Sequence, residues 1–205
     1  MPTDPVFTDP WDQRFASPHY LYGQAPNAFL ADMARHLPAD AQVFLPGDGE
    51  GRNAAHLAGL GHQVLSVDRS MVGLQKARKL AESLGHTIQT EQADLTLWNW
   101  PQQRFDAIFS IFLHLPSAQR GHVHARMVDA LKPGGLLVLE AFRTEQITLS
   151  SGGPKDADLL YTVADLRADF AALRDVQVEA VEALLDEGPL HQGQAALVRV
   201  VGRKG

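Results

Sequence analysis

The stretch Pro46-Gly47-Asp48-Gly49-Glu50-Gly51 constrains this chain more than any other, because it sets three glycines in alternation directly after the short apolar run Val43-Phe44-Leu45. A helical pattern follows at once, with Ala54, Leu57 and Ala58 on one side. Strand, glycine loop and helix N-terminus together form a device for bringing backbone close to a ligand. The dinucleotide fingerprint G-x-G-x-x-G needs its third glycine at position 52, where this chain has Arg52. A nicotinamide-dinucleotide site is therefore disfavoured.

The alternation continues on both sides of the loop. Phe29, Met33 and Leu37 share the face of a helix that starts near Asn27 and ends at Pro38. Gln63 to Val67 reads as a strand, and Ser70 as the N-cap of a helix whose inner face is Leu74, Ala77, Ala81 and Leu84. Thr87 to Glu91 is a third strand and Phe105 to Phe112 a fourth. Pro116 and Ser117 open a helix with Val123, Met127, Ala130 and Leu131 facing in. Lys132-Pro133-Gly134-Gly135 turns the chain into the strand Leu136 to Leu139. Strands alternating with amphipathic helices imply βαβ units, a mostly parallel sheet and helices on both faces.

After Glu140 the pattern changes. Residues 145 to 158 read as a loop, followed by a helix carrying Val163, Leu166, Phe170 and Leu173. Two strands near Val176 to Val181 and Ala195 to Val201 are joined without a helix, which predicts an antiparallel hairpin. Residues 1–25 are rich in proline and aromatic side chains (Phe7, Trp11, Phe15, Tyr20, Tyr22) with no sustained period. They read as an irregular arm or lid on a core of residues 26–205, the whole forming one domain of 205 residues.

Composition narrows the partner. The chain has no cysteine, which excludes disulfides, thiolate metal sites and a cysteine nucleophile. Its 24 Asp and Glu against 18 Lys and Arg, a net charge of -6, leave no electrostatic footprint for nucleic acid. No apolar run is long enough to span a membrane, and Met1-Pro2-Thr3-Asp4-Pro5 lacks the basic and apolar regions of a secretory signal. A cytoplasmic protein with a small-molecule partner is the expectation. His122 and His124 are two apart and point to opposite sides of a helix, so no metal site is expected there.

Two carboxylates extend the glycine loop into a site. Asp68 ends the second strand about 20 residues beyond the loop, where a carboxylate accepts ribose hydroxyls. Asp94 follows the third strand, where it can accept from an adenine amine, although it can equally serve as a turn aspartate. Ligands of open α/β sheets bind at these carboxyl ends.

With these residues in place, the chain resembles the class I S-adenosylmethionine-dependent methyltransferases. Val43 through Asn53 is similar to their first motif, Asp68 to the ribose-binding acid, Ala93-Asp94-Leu95 to the adenine-contacting turn, and Leu131-Lys132-Pro133-Gly134-Gly135 to the turn before the fifth strand. Within the class it resembles the small bacterial tellurite-resistance-type enzymes, through Trp11-Asp12-Gln13-Arg14-Phe15, Tyr22 to Asn27, Glu140-Ala141-Phe142, Gly152-Gly153-Pro154, Glu187-Gly188, His191 and Gly193.

The resemblance implies an α/β, Rossmann-like sheet of seven strands, mostly parallel with the last antiparallel. It also implies S-adenosyl-L-methionine as cofactor and methyl transfer to a small acceptor, a thiol or a chalcogen oxyanion. Gly47, Asp48, Gly49, Gly51, Arg52, Asn53, Asp68, Arg69, Ala93, Asp94, Leu95, Ser110, Ile111 and Tyr22 would then line the cofactor site. His114, after the fourth strand, is the candidate for orienting or deprotonating the acceptor, and Arg143 could meet an anionic one. Leu45 stands where the class carries an acid, and Asp48 where it carries a small residue, so the carboxylate has moved three positions. A cofactor-binding protein without transferase activity and a nucleotide-dependent oxidoreductase are the alternatives.

Overall fold

The computed structural model describes residues 9–205. Phe7 of the arm and the Met1 to Pro5 segment lie outside the described residues. Seven strands form one sheet: β1 (Gln42–Pro46), β2 (Gln63–Asp68), β3 (Gln89–Gln92), β4 (Phe105–Ile111), β5 (Leu131–Phe142), β6 (Leu173–Asp186) and β7 (Gln192–Lys204). Their order is β3-β2-β1-β4-β5-β7-β6. The first five pair in parallel, and β7 lies antiparallel between β5 and β6. Six strands therefore run one way and β7 alone runs the other, as expected.

Among the described residues six α-helices flank the sheet: α1 (Pro10–Phe15), α2 (Ala28–Ala34), α3 (Arg52–Gly59), α4 (Met71–Ser83), α5 (Ser117–Ala130) and α6 (Val163–Asp169). Successive β1 side chains part to opposite faces. Val43 and Leu45 join Leu30 and Ala34 of α2 and Ala54 and Leu57 of α3 on one face. Phe44 turns to the other, in the same cluster as Val123 and Met127 of α5 and Leu166 of α6. There Phe44 stacks between Trp98 and Phe105, at ring-centroid distances of 5.1 and 4.9 Å. Leu45 is thus a core residue, which explains why no acid stands at that position.

Local chemistry starts the helices where the sequence places them. The Asn27 side chain accepts from the Leu30 N–H, Ser70 from the Gly73 N–H, and Thr162 forms a reciprocal capping box with Asp165. Several bounds differ from expectation. α2 ends at Ala34, ahead of Pro38. Leu84 is the C-cap of α4 and is 55% exposed, so it does not belong to the inner face. The turn at residues 132–135 sits inside β5 as a bulge: between the pairs Phe105–Leu131 and Ala107–Leu136, β4 advances two residues and β5 five. Both hairpin strands run much longer than expected and carry their connecting segment to the carboxyl edge of the sheet.

The described part of the arm, residues 9–25, carries one short helix, α1, and then turns without regular structure, and it packs on the core. Asp9 caps α1, and α1 packs on α4. Asp12 accepts from the Ser70 hydroxyl (2.6 Å) and the Val72 N–H (3.1 Å), while the Lys76 ammonium donates to the carbonyls of Ser17 (2.9 Å) and His19 (2.8 Å). Lys76 also pairs with Glu50 of the glycine loop. One ammonium thus joins α4, the arm and the loop. No sequence period announces it, because its partners lie 26 and about 60 residues away.

Two expected outcomes follow from this packing. Gly51 has φ +84°, and a Cβ there would lie 2.3 Å from the Ala77 Cβ, so Gly51→Ala strains the backbone and drives α3 off α4. A loss of about 2–3 kcal/mol is expected, a fall in Tm of about 4–12 °C for a domain of this size, read by thermal unfolding. Lys76→Met frees the arm while sparing the core. Trypsin cleavage after the exposed Arg14, followed by mass spectrometry, should accelerate roughly tenfold; an unchanged rate would show that Lys76 does not hold the arm.

Candidate functional site

Strand order reverses beside β1: the chain passes from β1 outward to β2 and β3, then returns to place β4 on the other side of β1. The loops that leave β1 and β4 therefore face each other across the crevice where open sheets take ligands. They are the glycine loop and Phe112-Leu113-His114. They touch, since a Cβ on Gly47 would lie 2.8 Å from the Leu113 Cδ1.

Gly47, Gly49 and Gly51 have φ values of +69°, +57° and +84°, the left-handed region that glycine adopts without strain. Their N–H groups are taken up internally. Gly47 donates to the Val67 carbonyl, Gly49 to Asp68 Oδ2 and Gly51 to the Asp48 carbonyl. Close approach is internal as well, for Gly49 lies against the Phe15 ring and Gly51 against Ala77.

Asp48 turns its carboxylate onto the start of α3. Oδ1 accepts from Asn53 Nδ2 (2.8 Å) and Oδ2 from the Ala54 N–H (3.0 Å). The start of α3 is thereby occupied by the Asp48 carboxyl group, which leaves no open N–H nest there for a phosphate. This geometry reinforces the case against a dinucleotide. Asp68 accepts from Gly49 N–H through Oδ2 (2.9 Å) and from Ser70 N–H through Oδ1 (2.8 Å). Neither carboxylate has an ion-pair partner among the described residues, because Arg52 is paired with Glu187 and Arg69 with Asp9. Burial pushes Asp48 up to about 7 and Asp68 upward too, each raised a little further by a nearby carboxylate.

The remaining expected residues divide. Arg52 donates to Glu187 Oε2 (2.7 Å) and Asn53 accepts from the Asn27 N–H (2.9 Å), so both face a protein network. Asp94 is exposed, and its Oδ1 accepts from the Thr96 N–H and hydroxyl, the role of a turn aspartate. Leu95 and Ile111 are core side chains, Ala93 is half-buried, and Ser110 is buried with an unpartnered hydroxyl. Tyr22 stands over the loop, its N–H near Glu50 and its ring 4.7 Å from His191.

His114 is held by backbone on both sides. Nδ1 lies 2.7 Å from the Leu159 carbonyl, and Nε2 faces the Phe142 N–H at 3.4 Å. Burial lowers it to about 4, and neither nitrogen is open to an acceptor in this arrangement. Arg143 is held by Glu145 and Glu182. His124 turns inward to Asp169, whereas His122 is exposed.

A buried polar network supports the loop from behind. Asn27 Nδ2 donates to Glu140 (2.6 Å) and Glu187 (2.9 Å), and Arg199 donates to Glu140 (2.6 Å). The hairpin tip bearing Glu187 rests on the arm, Leu190 N–H donating to the Leu21 carbonyl. Asn27, Glu140, Glu187 and His191 are the scattered positions that carried the subfamily resemblance, and they meet here. Arg199 and the arm-clasping Glu50 were not singled out by the sequence reading.

Residues 43–135 match the family described as methyltransferase domain. The sequence has no match among curated proteins. Among solved structures, the chain is similar to a protein described under conversion of a disulfide bond into a thioacetal group during echinomycin biosynthesis. That match has TM-score 0.69 and 23% identity, covering 93% of this chain and 89% of that one. It is similar to TehB from Haemophilus influenzae, with TM-score 0.70 and 18% identity, covering 95% of this chain and 66% of TehB, just under two thirds of its length. It is also similar to the N-methyltransferase NodS from Bradyrhizobium japonicum, with TM-score 0.66 and 15% identity over 96% and 98%. Matched segment, sheet order and crevice agree: residues 43–135 match a methyltransferase domain, and the chain has the Rossmann-like fold that these solved structures share.

Proposed function

We propose that the chain transfers the methyl group of S-adenosylmethionine to a small-molecule acceptor, a thiol or a chalcogen oxyanion, with Asp48 and Asp68 recognising the cofactor. The observation that carries this reading is a pair of buried carboxylates at the sheet's switch point with no ion-pair partner among the described residues, Arg52 and Arg69 acting on them only from a distance while paired elsewhere. A cationic, hydroxyl-rich molecule supplies what they lack. Asp48 suits the positive charge of the cofactor, and Asp68 keeps acceptor capacity on both oxygens for ribose hydroxyls. Asp94 is exposed at the next strand end with Oδ1 bonded to Thr96, and on this reading its other oxygen is available to an adenine amine.

The bound cofactor supplies a methyl group made electrophilic by the sulfonium. The chain's part is to align an acceptor with it and to exclude water. Tyr22 and Phe112 are placed to close the crevice from the arm and from the end of β4, and Leu113 packs on Gly47 beneath them.

The pH dependence has a definite sign. Only ionised Asp48 attracts a cation, and its folded value lies near 7. S-adenosylmethionine affinity should therefore fall as pH drops below 7, by up to about tenfold per pH unit, and level off above it. Titration calorimetry from about pH 6 to 8 tests this against Asp48→Asn, which should bind more weakly and lose that part of the pH dependence. If the variant binds as tightly as the parent with the same pH profile, Asp48 plays no part in holding the cofactor.

A further inference from the structure

The carboxyl ends of β1, β2, β4 and β5 lie under a cover made of two pieces. The arm, residues 9–25, supplies the first. Asp9 pairs with Arg69 and Asp12 accepts from Ser70 and Val72, all beyond the end of β2, while Phe15 lies against Gly49 after β1. The N–H groups of Leu21 (2.7 Å) and Tyr22 (3.4 Å) donate to Glu50 in the glycine loop. The hairpin tip supplies the second piece, with His191 against Phe112 after β4 and Phe142 at the end of β5. The two pieces meet. Tyr22 lies 4.7 Å from His191, Leu190 N–H donates to the Leu21 carbonyl (3.2 Å), and a Cβ on Gly188 would run into the backbone of Tyr22 and Gly23.

The pieces are held with unequal strength. Glu187 anchors the tip by accepting from Arg52 (2.7 Å) and Asn27 (2.9 Å), both of them buried. The arm has one six-residue helix, too short to persist by itself, of which only Asp12 and Phe15 are buried. Its pair with Arg69 is at an exposed side chain and contributes little. Gln24 and Ala25, just ahead of the buried Asn27, are exposed and belong to no helix or strand, which suits a hinge. An element held in this way opens at far less cost than the sheet beneath it.

The fastening lies inside the crevice. Glu50 stands between Gly49 and Gly51, two residues from Asp48, and it takes the arm's N–H groups and Lys76 together. The loop that carries Asp48 is thus the loop that fastens the arm.

We propose, on the cofactor reading above, that residues 9–25 are a gate that swings about Gln24 and Ala25 away from a fixed hairpin tip, and that S-adenosylmethionine enters and leaves only when it is open. Binding is then limited by opening, and the refastened arm keeps water from the bound methyl group.

The chain has no cysteine, so Leu21→Cys with Leu190→Cys supplies an arm-to-tip bond that oxidation makes and dithiothreitol removes, its completeness read by mass spectrometry. Stopped-flow tryptophan fluorescence follows S-adenosylhomocysteine binding. The oxidised double variant should bind about 100-fold more slowly than the same protein reduced, whose rates should stay within about threefold of the parent chain. Lys76→Met should act in the opposite sense, raising association and dissociation rates together about tenfold while Kd stays within about threefold. Loss of a cofactor contact would raise dissociation alone. A fully cross-linked protein that binds as fast as its reduced form overturns the gate and leaves the cofactor reading standing. Unchanged rates in Lys76→Met do the same, and decide the matter where the cross-link does not close. Failure of the parent chain to bind S-adenosylhomocysteine overturns both.

Discussion

The carboxylate of Asp48 on the first turn of α3 is the contact on which the crevice depends. A helix start is a place of positive potential, and most nucleotide-binding α/β proteins leave it open for a phosphate. Here it is closed by a side chain from the loop itself, held by Asn53 and the Ala54 N–H. On the proposed reading, the electrostatic sense of the site is thereby inverted, from anion-accepting to cation-accepting. Burial makes the inversion costly for the empty protein, since Asp48 and Asp68 are both raised with no paired cation. A positively charged ligand relieves that cost, so charge becomes a criterion of recognition.

Behind Asp48 stands a set of buried polar groups whose role is geometric. Arg52 and Glu187 are both buried and 2.7 Å apart, and such pairs rarely stabilise a fold beyond what apolar packing would. Their partners come from distant segments: Asn27 at the start of α2, Glu140 in β5, Glu187 at the hairpin tip and Arg199 in β7. Directional bonds among them fix where the hairpin tip meets the arm, and hence where Tyr22 and His191 stand. A hydrophobic contact of the same area would not set those angles.

Much of the fold was legible because it rests on local rules. Ser70, Asn27 and Thr162 cap helices by side-chain geometry, and the apolar faces of α3 and α5 follow the helical period. The arm was not legible as structure, since α1 is six residues long and owes its order to contacts with Lys76, Ser70 and Arg69 far along the chain. The hairpin's length was underestimated for a similar reason, because charged residues such as Glu179 and Glu182 sit on an edge strand where alternation is weak. Asp68 and Asp48, the carboxylates of the proposed site, stand at positions that the sequence alone marks. Arg52 and Asn53 could not be told from ligand contacts, because their partners, Glu187 and Asn27, become neighbours only after folding.

The glycines carry the sharper lesson. Alternating glycines after a strand were read as room for a ligand, yet each has an internal reason in the folded chain: a left-handed backbone, a satisfied N–H and a neighbour too close for a Cβ. Room for the loop to fold against Leu113, Phe15 and Ala77 accounts for all three. The loop is bare so that β1, α3, α4 and the arm can converge, and that convergence drives Asp48 and Asp68 together out of water. On the proposed reading, recognition in this crevice rests on the two carboxylates, with the glycines as the steric condition for the loop that carries them.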